Sequence, residues 1–301
     1  MINGPDAQSS KFLNDLAAIA QRLDRAQRQI SSGRRINDVS DDPDEISHLL
    51  GIRSDLSQVE QFQVNLGLIQ TEVDTGEQAL GQAIQAMDRI GVLGAQGASD
   101  LTPADSRNTI AVEIDELLGQ VVNLANSQVD GRYLFSGDND QAPPYTFDLS
   151  QPNPIGPYQG SASTRLVQHP SGQRISIAKT ADEIFANPDP TLNVFDSVNA
   201  LRAALRANDT AAIKTALGNV RTASVHLNNM QAFYGGVQNQ VADAADFASK
   251  QVVRLKTQIS QTEDADITSA ILELNQSKFI QETALSAQSR QPRTSLFDYL
   301  R

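Results

Sequence analysis

The 301-residue chain is 40% hydrophobic, enough to bury a substantial core, and its 24 Lys and Arg against 36 Asp and Glu leave a net charge of −12. Such an acidic balance argues against sequence-independent attraction to nucleic acid or anionic lipid, so neither is expected as a partner. With neither cysteine nor tryptophan, disulfides, thiolate chemistry and the commonest zinc ligands are excluded, and the many small and amide side chains suit long helices better than an aromatic-packed enzyme.

The N-terminal "MINGPDAQSSKFLNDLAAIA" has no basic region ahead of an apolar run, and Asn14 and Asp15 interrupt that run, which argues against a cleaved leader. No stretch approaches the roughly 20 apolar residues of a membrane span, so membrane insertion is not expected. The first helix is predicted to carry Phe12, Leu16, Ile19 and Leu23 and to end near Ser31 or Ser32. Gly33 then suits the left-handed position after a helix, with Arg34 and Arg35 beside the helix's negative end. Asp42 can cap the next helix, Pro43 sits at its first position, and Glu45 completes an Asp-x-x-Glu capping box. A helical corner accounts for all these charges, each worth about 0.3–1 kcal/mol against a helix dipole, without catalysis.

From Ile46 to Ile90 apolar residues recur every seven positions at Ile52, Val59, Leu66, Val73, Leu80 and Met87. A second row at Phe62, Ile69, Ala83 and Ile90 is broken by Gly76. Such a helix would span roughly 65 Å and present one buried seam. Gly91, Gly94 and Gly97 interrupt the pattern and mark its end. Thr102 is then expected to cap a helix with Pro103 at its first position, carrying Ile110, Ile114, Leu117, Leu118, Val121 and Leu124, running to about Val129 and closed by Gly131.

Between Arg132 and Pro190, prolines cluster and "YTFDL", "TRLVQH" and "RISIA" alternate between turn signals such as "HPSGQ", predicting a small β-rich insert. Helical spacing resumes at Val194, Phe195, Val198, Leu201 and Leu205, restarts after "ANDT", and continues through Val237, Val241, Ala248, Val252, Leu255 and Ile259. A last segment carries Ile267, Ile271, Leu274, Phe279, Ile280 and Leu285.

The fold class is therefore mainly α: a long antiparallel helical rod formed by the N- and C-terminal segments, with a small inserted β-rich domain. The expected divisions are an N-terminal assembly helix and corner at 1–45, rod helices at 46–131 and 191–262, the insert at 132–190, and a C-terminal assembly helix at 263–301. His48, His169 and His226 lie far apart, outside any metal-ligand spacing, and are expected at the surface or in loops. The "DND" at 138–140 lacks the glycine and glutamate of a calcium loop and reads as a turn. No cofactor, metal or catalytic residue is expected.

Several long motifs carry a family resemblance. "ISSGRRINDVSDDPDE" at 30–45 resembles the N-terminal signature of the flagellin superfamily, and "TEDADITSAILELNQSKFIQETALSAQ" resembles its C-terminal signature. "DGRYLFSGDNDQAPPY" at 130–145, "YQGSASTRLVQHPSG" at 158–172 and the closing "SLFDYL" resemble the branch of that superfamily that joins hook to filament. The resemblance implies a structural subunit of the bacterial flagellum, exported without a cleaved signal peptide through the flagellar type III apparatus. A cytoplasmic export chaperone would hold the C-terminal region, and the assembled partners would be other copies, a neighbouring hook-associated protein and flagellin. Assembly would proceed by packing of the terminal helices, with Phe12, Leu16, Ile19 and Leu23 opposite Ile267, Ile271, Leu274, Phe279 and Leu285. The C-terminal segment is as similar to filament flagellin, which stays open as the alternative beside a more distant helical enzyme or ligand-binding bundle.

Overall fold

In a computed structural model the protein is described over residues 7–163, 165–168 and 174–290. The turn expected at 169–173, with His169, and the closing "SLFDYL" lie outside the described residues. The elements in chain order are α1 (Ala7–Ser32), α2 (Pro43–Gly97), α3 (Ala104–Ala125), β1 (Gln128–Val129), β2 (Arg132–Tyr133), β3 (Leu166–Gln168), β4 (Arg174–Ser176), α4 (Ala181–Phe185), α5 (Val194–Arg206), α6 (Thr210–Glu263) and α7 (Ile267–Ser289). The chain is thus mainly α with a small β-containing part. Among the described residues no helix is long and apolar enough to cross a membrane.

Two compact units divide it. Unit 1 comprises Met1–Val59 and Lys250–Arg301, and unit 2 comprises Glu60–Ser249, so α2 and α6 each contribute to both.

Unit 2 holds the deep core. The seven-residue row on α2 supplies Leu66, Val73, Leu80 and Met87, all buried, together with Ala83 and Ile90. Gly76, which breaks the second row, lies under the Tyr234 ring of α6, where a β-carbon would collide with it. As expected, α2 ends in this glycine run, stopping at Gly97, although Gly91 and Gly94 lie inside it. A β-carbon at 94 would meet Leu201 and Leu217, and one at 97 would meet Leu205, so these positions admit the neighbouring side chains at a cost in helix propensity of about 1 kcal/mol each.

Thr102 does not cap α3. Its hydroxyl donates to the Gln96 carbonyl at 2.8 Å, Pro103 occupies the cap position, and helical residues begin at Ala104. The helix ends at Ala125, short of Val129, because Gln128–Val129 pairs with Arg132–Tyr133 in a hairpin. Gly131 (φ +76) therefore closes no helix; with Asp130 (φ +51) it forms the two-residue turn, a conformation that matches the twist of paired strands.

Residues 132–190 share their core with the helices. Phe135 stacks edge-on against Phe185 and Tyr234, and Tyr145 meets Phe195 edge-on with ring centroids 4.9 Å apart. Of the expected strands, "TRLVQH" and "RISIA" supply β3 and β4, which pair antiparallel, whereas "YTFDL" contributes only a bridge between Phe147 and Ile155. His226 is buried, contrary to the surface expectation: its Nε2 lies 3.0 Å from the Glu183 carbonyl of α4. His48 is exposed.

Unit 1 is thinner. Its buried hydrophobic residues, among those described, are Ala26, Ile36, Leu49, Ile52 and Ala270. In it α1 packs along α7, and the end of α1 is bonded to the start of α7, so the two run antiparallel.

Candidate assembly site

The corner at residues 33–45 is built from the chain outward. Gly33 takes φ +71, and its amide donates to the Gln29 carbonyl at 2.9 Å, ending α1. Nothing crowds its α-carbon, so glycine is favoured there by the backbone angle alone. Asp42 accepts from the Glu45 amide at 3.4 Å and caps α2, whose first turn carries Asp44 and Glu45 at the positive end of its dipole. The reciprocal half of the box, Glu45 to the Asp42 amide, is not formed among the described residues. Asp41 receives the Asp38 and Asn37 amides at 2.9 and 3.0 Å; the first of these does most to hold its carboxyl below the ordinary range.

The two arginines do not serve the helix that precedes them. They grip the far end of the chain. Arg35 donates from Nη2 to the Thr262 carbonyl at 2.9 Å and from Nη1 to Asp42 at 2.8 Å, and its amide donates to the Glu263 carbonyl at 2.6 Å. It thereby satisfies carbonyls in the last turn of α6, which have no partner within the helix. Arg34 pairs through Nε with Glu263 at 2.8 Å, while Arg53 of α2 approaches the other carboxylate oxygen at 2.5 Å. Glu263 is only 3% exposed, so this carboxylate is held between two guanidinium groups away from water, where loss of either partner would be costly. Arg34 and Asp264 form an isolated antiparallel bridge, and the Ala265 amide donates to the Gly33 carbonyl at 2.9 Å. Asp266 then caps α7, accepting from the Thr268 and Ser269 amides at 2.9 and 3.2 Å. The Ser269 hydroxyl, first among these contacts, holds the Asp266 carboxyl below its usual range.

From this anchored corner α1 and α7 extend side by side. On α1 the less exposed apolar positions are Phe12, Leu16, Ile19, Leu23, Ala26 and Ile30, spaced alternately by four and three residues. On α7 they are Ala270, Leu274, Ser277, Gln281 and Ala284, with the same alternation. These two stripes face each other as a short coiled-coil seam. Of the large C-terminal residues singled out in the sequence, Leu274 alone turns partly inward. Ile267, Ile271, Phe279 and Leu285 are exposed, Phe279 by 70%.

The two helices also differ in what they show to the outside. α1 presents Lys11, Asp15, Arg22, Asp24, Arg25 and Arg28 on its outer face. α7 is apolar on several sides: Leu272 and Phe279 lie seven residues apart on the side away from α1, and Ile267 and Ile271 lie on a flank. A helix that is apolar all round is normally enclosed. Sequence reasoning missed the inward stripe of α7 because its members are small or polar.

Elsewhere, a shallow groove in unit 2 is lined by Gln82, Gln85, Arg89, Leu117, Gln120 and Leu124. Arg89 is engaged there by Glu113 at 2.6 Å. Among the described residues no three His, Asp or Glu side chains converge as a metal site.

Comparison with known proteins places this geometry. Residues 6–140 match the family model for the bacterial flagellin N-terminal helical region, and residues 217–300 match that for the C-terminal helical region, together well over half the chain. The sequence is 28% identical over 285 residues to flagellar hook-associated protein 3 of Salmonella typhimurium, covering 86% of each chain. It is 27% identical over 293 residues to the flagellin of Brucella melitensis, covering 95% of each. A putative flagellar hook-associated protein from Vibrio parahaemolyticus has a similar fold, with a TM-score of 0.66 over 74% of this chain and 100% of that one at 20% identity.

Proposed function

The chain belongs to the bacterial flagellin family, a family of flagellar structural proteins, and from that premise we propose that it is a subunit of the junction between hook and filament. The observation that supports this reading most directly is α7, whose Ile271, Leu272, Phe279, Ile280 and Leu285 remain between 44% and 70% exposed after α1 has packed on it. Burying one such side chain contributes about 1.5–3 kcal/mol, so neighbouring copies that enclose α7 gain what the isolated chain lacks. Phe12, Leu16, Ile19, Leu23 and Leu274 hold the pair together, and Ile267, Ile271, Phe279 and Leu285 meet the neighbours. The partners are other copies, an adjacent hook-associated protein and flagellin. An export chaperone that shields the C-terminal region before assembly fits the same exposed surface, and export would follow the flagellar type III route to an extracellular position on the flagellum.

Phe279→Asp tests this. The substitution lies at an exposed site, so the isolated chain keeps its melting temperature and circular dichroism spectrum, while incorporation into the flagellum is abolished. Normal assembly by that variant would sink the proposal. The likeness to the Brucella flagellin supports a second reading, filament subunit, which seeded polymerisation separates: a junction protein stops at short rings, whereas a flagellin grows long filaments.

A further inference from the structure

Unit 2 contains a buried polar cluster outside the assembly site. Arg202 of α5 is 5% exposed and Asp115 of α3 is 7% exposed. Their closest approach, Nη1 to Oδ1, is 3.4 Å, within ion-pair reach but not a hydrogen bond. Arg202 Nη2 makes one long contact, 3.5 Å, to the Pro152 carbonyl. Arg206, one turn further along α5, takes the other oxygen of Asp115. Four buried atoms are left without a hydrogen-bond partner among the described residues: Arg202 Nε, Arg202 Nη1, Asp115 Oδ1 and Asn199 Oδ1. Asn199 precedes Arg202 by three residues on the same helix, which puts both on one face.

A buried polar atom left unpaired forfeits its hydration with nothing in return, so these atoms call for an occupant. The donor and acceptor pattern selects it. Asp115 Oδ1 and Asn199 Oδ1 repel an anion, and the Arg202 guanidinium repels a cation. A neutral molecule that both donates and accepts satisfies both sides. We propose that Asn199, Arg202 and Asp115 form an internal hydration site. A bound water there accepts from Arg202 and donates to the Asp115 and Asn199 oxygens, joining α3 to α5, while Arg202 Nη2 reaches the loop that carries Pro152. Burial pulls the Arg202 guanidinium below its ordinary value, with Asp115 partly opposing, in keeping with a charge that lacks close partners.

A crystal structure of the full chain, with a parallel bromide soak, tests the site. The expected result is a solvent peak within hydrogen-bond distance of Arg202 Nε or Nη1 and of at least one of the two oxygens, with no bromide there. A direct bidentate Arg202–Asp115 pair without a solvent peak, or bromide in its place, overturns the proposal. In solution, full-length protein labelled with ¹⁵Nε-arginine, with Arg202→Lys to assign the signal, should show magnetisation transfer from long-lived water to the Arg202 Nε proton. Absence of that transfer counts equally against it.

Discussion

Unit 2 and unit 1 use similar helices differently. In unit 2, Phe135, Phe185, Leu80, Ile114 and Leu201 are sealed from solvent on every side by α2, α3, α5, α6 and the 132–190 segment. In unit 1, away from the corner, α1 lies on α7, and a single stripe on each is covered. The first is a finished core. The second has its geometry set at one end by ion pairs and hydrogen bonds, while most of the large apolar side chains of α7 wait outside. Position and burial are thus supplied by different parts of unit 1: Arg34, Arg35, Arg53 and Glu263 fix where α1 and α7 meet, and the exposed residues of α7 are left for something else to cover.

The sharpest way to break the contrast is within the finished core. Phe135→Ala removes a ring in edge contact with two others and should destabilise unit 2 by about 3–5 kcal/mol in denaturant unfolding, while hydrogen exchange in α1 and α7 stays unchanged. Glu263→Ala does the converse. It removes the ion-pair partner of Arg34 and the hydrogen-bonded partner of Arg53, at a cost of about 1.5–3 kcal/mol for a hydrogen bond to a charged group, and exchange should accelerate in α1 and α7 but not in α3 or α5. Equal acceleration in both units would erase the distinction. Gly33→Ala, forced into a left-handed backbone with nothing to clash against, should cost about 1 kcal/mol, read as a small loss of protection at the end of α1.

The smallest effect is back in unit 2. Tyr145 carries a buried hydroxyl with no partner among the described residues, and burial, with a contribution from Asp182, pushes its phenol well above the ordinary value. The group stays protonated. Tyr145→Phe should therefore leave stability unchanged or raise it by up to about 1 kcal/mol in thermal melts, despite deleting a polar atom from the core.

Much of unit 2 was legible because large apolar residues at heptad spacing report a buried seam directly, as Leu66, Val73, Leu80 and Met87 do. The glycines were legible only in part. Gly94 and Gly97 mark the end of α2, but their packing role lies in Leu201, Leu205 and Leu217, more than a hundred positions away. His226 was misread for a similar reason: the carbonyl that satisfies it belongs to Glu183. In unit 1 the corner's residue types pointed to a helix end, but local sequence assigned Arg34 and Arg35 to the wrong helix terminus. The pairing face of α7 was hidden because Ala270, Ser277 and Ala284 give no hydropathy signal, whereas the large residues that do give one point elsewhere.

The bond from Arg35 to Thr262 spans 227 positions of sequence. During vectorial synthesis α1 emerges long before its companion exists, and no local contact can substitute for a closure of that contact order. Its apolar stripe must stay open until nearly the whole polypeptide has been made. A nascent or truncated product would therefore expose an unprotected N-terminal segment to proteases.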